Sequence, residues 1–457
     1  MIKQMIGRLF GGDLPELAKD PLGSFLRYSR HPDGMARVRI GPRRAFIVSD
    51  PAKIRQVMLE NFEHYDKDTP AFRDVRLALG WGLLTSSGPL WKRQRRLAQP
   101  IFHGANLKTF APIFDRLAAQ CSDAWESACL AGQPVDATED MIKLTFSAAA
   151  EALFGEDFSA QADEMNRVFP LVLKGVAGRT ATPLPLPLWV PTAKNRELRQ
   201  ALASLKSIVS TMVQKRRDNL PQIAAQAPEH LDLLSTFMLA KDEETGEVMS
   251  DQQLYDEAMT ILIAGHETTA NALAWAWVLL HRHPGEQERL RAEIFEATGG
   301  RPPGIDDLPR LPRLRMFFLE TLRLYPPVWM FDRRAVVPTS LGETKIHPGN
   351  LVIMSPYAVH RLPSLWRDPE AFRPERFEPG NEEQKNKFAF LPFGAGPRIC
   401  MGMGFAMIES QIILGTLLAK FRVRLADGDG IEPRTQVTLR TSRPVLLQLE
   451  KIAQSAP

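Results

Sequence analysis

Apolar residues change their spacing twice along this chain. Near the start, Val38–Ile40 and Ala45–Val48 are short β-like runs on either side of Gly41-Pro42. Pro51 then opens a helical pattern through Ile54, Val57 and Met58, so residues 35–62 predict a small sheet with a short helix. From about Leu90 to Leu290 apolar positions recur at helical spacing, with one interruption at Thr182–Pro191. Alternating prolines remove backbone donors and fix φ there, which predicts an extended connector. After Pro326-Pro327 the texture becomes strands and turns (Gly342, Pro348-Gly349-Asn350, Leu351–Met354), then a Pro-rich meander from Leu362 to Pro397. A helix follows Cys400, and Thr438–Leu449 reads as a terminal hairpin. Residues 90–327 and 400–420 form the expected helical part, and 35–62 with 328–360 the β-rich part. With no repeat and no linker, the expectation is one domain over 1–457, mixed α/β and predominantly α.

Composition narrows this picture. A chain of 457 residues, 44% hydrophobic and 24% charged, is a folded globular protein. A net charge of +4, from 57 basic and 53 acidic residues, argues against nucleic acid as a partner. Three cysteines, Cys121, Cys129 and Cys400, do not make a disulfide framework, so a cytoplasmic location is expected. Met1–Phe10 is apolar at helical spacing but meets Gly11-Gly12 too soon to span a bilayer, and residues 1–20 read as a lead-in. No transmembrane anchor is expected.

The segment Phe393-Gly394-Ala395-Gly396-Pro397-Arg398-Ile399-Cys400-Met401-Gly402 carries the most chemistry. Its glycines let backbone approach a flat ligand closely. Cys400 sits just before a helix, where the dipole favours a thiolate. Here the chain closely resembles the cytochrome P450 family, whose signature is met by Phe393, Gly396, Arg398, Cys400 and Gly402. The resemblance implies the P450 fold and haem b, with Cys400 as iron ligand, Phe393, Gly394 and Gly402 lining the haem, and Arg398 on a propionate.

A second signal lies in Asp256–Leu280, an apolar helical run broken by Ala264-Gly265-His266-Glu267-Thr268-Thr269-Ala270. Spacing of three and four puts Ala264, Glu267 and Thr268 on one face, and Ala264 is small enough for a cofactor plane to approach. Gly265 and Thr268 suggest a local widening of the helix. The heptapeptide resembles the family's oxygen-activation motif, which implies Glu267 and Thr268 as the acid–alcohol pair that delivers protons. A zinc site through His266 fails on spacing, because Ala270 stands where a second His would be needed.

Glu320 and Arg323, one turn apart before Tyr325-Pro326-Pro327, and Arg376 in Phe372–Phe377 resemble the family's structural brace for the cysteine loop. The segment Gly88–Arg96 resembles its propionate helix, giving Trp91 and Arg95 to one propionate and Arg333 to the other. The implied reaction inserts one atom of O2 into a hydrophobic substrate. Electrons would come ultimately from NAD(P)H through a ferredoxin or flavodoxin-type donor with its reductase, since no fused reductase is expected. By family position the substrate pocket would use Phe72, Trp81, Phe169, Val328, Trp329, Met330 and Leu439, with Arg73 or Arg76 considered as carboxylate anchors. A donor-independent peroxygenase or isomerase, and a haem-binding sensor, are the alternatives; the intact Glu267-Thr268 pair and the lack of an output segment weigh against them.

Overall fold

The computed structural model describes residues 12–452 apart from 103, 156–158, 181, 183–184, 224–230, 243–245 and 385. The lead-in Met1–Phe10 and part of the proline connector lie outside the described residues. Among the described residues the strands form a five-stranded sheet and three smaller sheets.

The first hairpin forms where alternation predicts it. Strand β1 (Met35–Ile40) pairs antiparallel with β2 (Arg43–Val48) in the register Ala36↔Ile47 and Val38↔Ala45. Asp50 then caps the helix that Pro51 opens. Three further strands complete the sheet: β3 (Tyr65–Asp66), β5 (Phe331–Ala335) and β8 (Leu351–Met354), in the order β1-β2-β8-β5-β3. Of the remaining strands, β4 (Val135–Asp136) pairs with β12 (Leu446–Lys451), and β6 (Thr339–Leu341) with β7 (Thr344–Ile346). β9 (Phe421–Leu425) also pairs with β12, and β10 (Pro433–Thr435) with β11 (Leu439–Thr441). Because β2 and β8 are parallel, the chain between them, which carries most of the helices, is the crossover that joins them. Antiparallel pairing of β3 with β5 (Asp66↔Arg334) brings Lys67 beside Asp332 and Arg333, positions far apart in sequence.

Nine helices position the site: α1 (Pro70–Leu79), α2 (Gly88–Ala98), α3 (Ala111–Leu130), α4 (Ala137–Phe154), α5 (Ser159–Thr180), α6 (Ala193–Asp218), α7 (Asp251–Arg282), α8 (Pro312–Leu324) and α9 (Met403–Lys420). α7 is the central rod. It begins earlier than its apolar run because Ser250 and Gln253 form a capping box, and it is buried on nearly every side from Leu254 to Leu280. Helix is unbroken across Gly265–Thr269, so the expected widening is absent. Thr268 and Thr269 instead bond back to Ala264 O (2.8 Å) and Gly265 O (3.2 Å) within it.

Two sequence expectations change. Thr438–Leu449 is not one hairpin: β11 turns back on β10, while β12 joins β9 and β4. Ser442–Pro444 carries the chain from one sheet to the other. Second, α9 is long and apolar enough to cross a membrane by length and composition. Its apolar surface is instead spent on the core, where Ile412–Leu414, Leu417 and Leu418 are fully buried.

Candidate functional site

The cysteine loop is shaped by its glycines. Gly394 and Gly396 have φ of 72° and 67°, and a Cβ on Gly396 would lie 1.9 Å from Met58 O, so no other residue fits. The Cys400 N–H donates to Phe393 O at 2.9 Å and closes the loop, and α9 starts three residues later. Protein surrounds Cys400 on all sides, yet the residue keeps accessible surface, as a side chain facing an internal cleft does. Burial pushes its thiol up, while the N–H groups of Gly402 and Met403 and the Arg95 guanidinium pull the other way. Phe393 is half-buried beside it, and Gly402 leaves ordinary contact distance to Sγ.

Glu320, Arg323 and Arg376 meet behind this loop with no exposed side-chain surface. Arg323 forks onto Glu320 (2.6 and 2.7 Å) and donates to the carbonyls of His360, Pro369 and Ala371. Arg376 reaches Glu320 (3.3 Å) and both oxygens of Glu383 (2.9 Å each). His360 extends the brace. Nδ1 bonds Arg323 O (3.0 Å) and Nε2 accepts the Leu391 N–H (2.8 Å), which fixes a neutral tautomer and ties Arg323 to the entry of the cysteine loop. Sequence reading missed His360, because a single histidine in a Pro-rich meander carries no spacing signal.

On the other side of the loop four cations from four segments converge: Lys67, Arg95, Arg333 and Arg398. Burial, helped by repulsion from Arg333 and Arg95, brings Arg398 down to about 9; burial alone brings Arg333 to about 10 and lowers Arg95, and burial with repulsion from the three arginines lowers Lys67 strongly. Their partners are mostly neutral: Arg398 donates to Ser86 O (3.0 Å) and lies 4.1 Å over the Trp91 ring, Arg95 donates to Ile399 O (2.9 Å), and Lys67 to Leu84 O (2.6 Å). Asp332 sits among them, its carboxyl lifted to about 6 by burial, and supplies a single negative charge to the group. So much clustered positive charge is unfavourable unless an anion joins it. Haem b brings two carboxylates, and the residues present fit it. Lys67 was not foreseen; its placement depends on the β3–β5 register.

Across the site α7 is mostly buried, with Ala264 exposed and Ile261, Gly265 and Thr268 half-buried. Glu267 does not share that face. Its carboxylate is buried and accepts from Arg440 (2.8 and 2.6 Å), Thr438 (2.7 Å) and Asn271 (2.8 Å), so it points to β11. The reason is charge: Arg440 offers a two-pronged partner and the cleft face of α7 offers none. His266 is buried on the far side, against Phe146 and Phe169, and burial lowers its pKa.

The expected pocket residues divide. Leu439 is buried, its N–H bonded to Pro327 O (2.9 Å), and half-buried Phe72 carries Lys67 Nζ 5.0 Å from its ring centre. Phe169 is not brought to the cleft, being packed on His266 behind α7. Trp81 stacks under Arg76 (4.0 Å) and lines an open groove with Leu90, Val248 and Met249. Trp329 packs edge-on to Phe25 and donates to Gln436 O, and Met330 packs in the same cluster against the N-terminal sheet. Val328 is exposed. Arg73 and Arg76 are both held by Asp68, which leaves neither as a ready carboxylate anchor.

An enclosed cysteine on a glycine loop, a buried brace behind it and a cationic cradle beside it define the class of haem-thiolate proteins. A family model described as Cytochrome P450 matches residues 7–449. The chain belongs to the cytochrome P450 family and is a monooxygenase of that family. It is similar to cyclooctatin synthase of Streptomyces melanosporofaciens, 37% identical over 93% of this chain and 90% of that one. Cyclooctat-9-en-7-ol 5-monooxygenase of the same organism is 36% identical, covering 91% and 88%. Cytochrome P450 4F3 of Homo sapiens is 31% identical over 91% and 82%. The crystal structure of the cytochrome P450DA heme domain superposes with a TM-score of 0.84 at 25% identity, covering 95% of this chain and 94% of that one.

Proposed function

We propose that this chain inserts one oxygen atom from O2 into a C–H or C=C bond of a hydrophobic, polycyclic terpenoid, using electrons from a separate ferredoxin or flavodoxin-type donor fed by NAD(P)H. The observation that carries the haem assignment is the four-cation cradle beside an enclosed, accessible cysteine. Terpenoid chemistry is supported by the two Streptomyces relatives, whose names refer to cyclooctatin and cyclooctat-9-en-7-ol.

Haem, when bound, supplies the oxygen-activating iron. Cys400 would hold it from one face, and Lys67, Arg95, Arg333 and Arg398, with Trp91 beneath Arg398, would receive its propionates. Ala264 leaves the other face open. Thr268 Oγ1, now donating to Ala264 O, presents its proton to the cleft after one side-chain rotation. Glu267 is one step further back; its carboxylate, held by the Arg440 fork, would relay a proton only by loosening that fork, taking one up from solvent and passing it on.

The test is the spectrum of the reduced protein with carbon monoxide, for wild type and Cys400→Ser, followed by spin-state titration with terpenoids. A strongly red-shifted Soret band that the substitution abolishes is expected. An unshifted band indifferent to Cys400 would overturn the ligand assignment.

A further inference from the structure

The loop Gly80–Ser86 spans from the cationic cradle to the N-terminal half of α7. Arg398 and Lys67 hold its far end through Ser86 O and Leu84 O, while its near end is pinned by acids of α7. The Trp81 N–H donates to Asp256 Oδ2 (2.8 Å) and the Leu83 N–H to Glu257 Oε2 (3.1 Å). The contact is close. A Cβ on Gly80 would lie 2.1 Å from Asp256 Oδ1, and one on Gly82 would lie 2.1 Å from Thr260 Oγ1.

Beneath this loop two polar atoms have no partner, Glu257 Oε1 and Thr260 Oγ1, on residues only 2% and 4% exposed. Elsewhere helical threonines satisfy their hydroxyls on the carbonyl four residues back, as Thr145, Thr268, Thr269 and Thr321 do. Thr260 does not. Glu257 lacks a counter-ion, its neighbour Asp256 being another acid, and burial lifts its carboxyl to about 8, so it is held as the neutral acid. A buried polar atom without a partner is costly, and two of them one helical turn apart mark a place built for something else.

Residues 257, 260, 264 and 268 follow one another at spacings of three and four, so the two orphaned atoms lie on the stripe that carries Ala264 and Thr268. At ~1.5 Å per residue, Thr260 is ~6 Å and Glu257 ~10 Å along the axis from Ala264. We propose that Glu257 and Thr260 form a polar notch that anchors a hydroxyl group of an otherwise apolar substrate, holding a carbon skeleton about 6–10 Å long across the cleft. A hydroxyl both donates and accepts, as do a carboxylic acid and a threonine, whereas a hydrocarbon leaves both atoms unpaired. A carboxylate would bring another acid beside Asp256 and is disfavoured. Admitting the oxygen requires the loop to lift at Gly82, where there is no side chain to move. This inference rests on the hydrophobic-substrate reading above and narrows it to alcohols.

The experiment uses the haem-loaded enzyme and a panel of polycyclic terpenoid alcohols, each paired with the hydrocarbon of the same skeleton. Kd is read from the spin-state shift. Wild type is expected to favour the alcohol by roughly tenfold. Glu257→Leu and Thr260→Val should each erase most of that preference with the hydrocarbon Kd and the carbon monoxide band unchanged, while Glu257→Gln should retain it. Equal binding of both members, or a preference that survives Glu257→Leu, overturns the notch but leaves the terpenoid reading standing. A sound carbon monoxide band with no shift from either member overturns the terpenoid reading, and the alcohol anchor with it.

Discussion

The two sides of the site handle buried polarity in opposite ways. Behind the cysteine loop, Glu320, Arg323, Arg376 and His360 are fully or almost fully buried, and each has several partners at hydrogen-bond distance. On α7, Glu257, Thr260 and His266, and on α9, Glu409 and Ser410, each keep at least one buried atom without a partner. A satisfied network has one arrangement and is stiff; an unsatisfied one leaves room for a ligand, a water or a proton to change it. The thiolate side therefore fixes the ligand, and the oxygen side keeps its adjustable groups where substrate and protons must come and go.

The largest effect should follow from breaking the stiff side. Arg323→Leu leaves the buried Glu320 carboxylate with Arg376 as its remaining charged partner and takes a donor from the carbonyls of His360, Pro369 and Ala371, which should cost about 3–5 kcal/mol. The expected result is little soluble haem-loaded protein and a depressed melting temperature. A variant that folds and gives the full carbon monoxide band would show that the brace is not what positions Cys400.

A smaller and more specific effect is expected on the adjustable side. Arg440→Met removes the fork from Glu267 and leaves Thr438 and Asn271 as its partners. Stability should fall by about 1–3 kcal/mol, since the carboxylate stays buried without its counter-ion. The carbon monoxide band should survive, and the fraction of electrons recovered as hydroxylated product should rise, because on the proposed reading the fork holds Glu267 back from relaying protons. Unchanged product yield per electron would show that the Glu267–Arg440 pair only supports the β11 turn.

The contrast also explains which parts were legible in the sequence. Phe393–Gly402 and Ala264–Thr269 could be read because each concentrates its chemistry in one short segment with fixed spacing. The hairpin β1–β2 and the rod α7 followed from apolar period. What failed depended on contacts between distant segments. Lys67 joins the cradle only through β3–β5 pairing, and His360 joins the brace through the Arg323 carbonyl and the Leu391 N–H, contributed by other segments. Glu267 was assigned to the cleft face by helical spacing alone, and Arg440, 173 residues away, turned it elsewhere. Phe169 was placed in the pocket by family position, but the buried His266 ring claims it for the core. Local motifs report the chemistry that a segment can do; which way a charged side chain faces depends on the partner that reaches it.

The smallest expected effect tests whether the adjustable side costs stability. Glu409, on α9, is fully buried with neither carboxyl oxygen at hydrogen-bond geometry to a partner, and burial pushes its pKa well above the ordinary 4.5, with the nearby Thr269 acting the other way. Between 4.5 and the raised folded value, the unfolded chain has released a proton that the folded chain keeps. Stability therefore falls as pH rises through that window and is undiminished below it. Glu409→Gln keeps the shape and cannot ionise, so it should melt more nearly alike from pH 5 to pH 9 and gain about 1 kcal/mol over wild type at the upper end. Thermal melts across that range decide the matter. Parallel curves for the two proteins would mean that Glu409 has a partner in solution, and the oxygen side would then be as fully satisfied at this point as the brace.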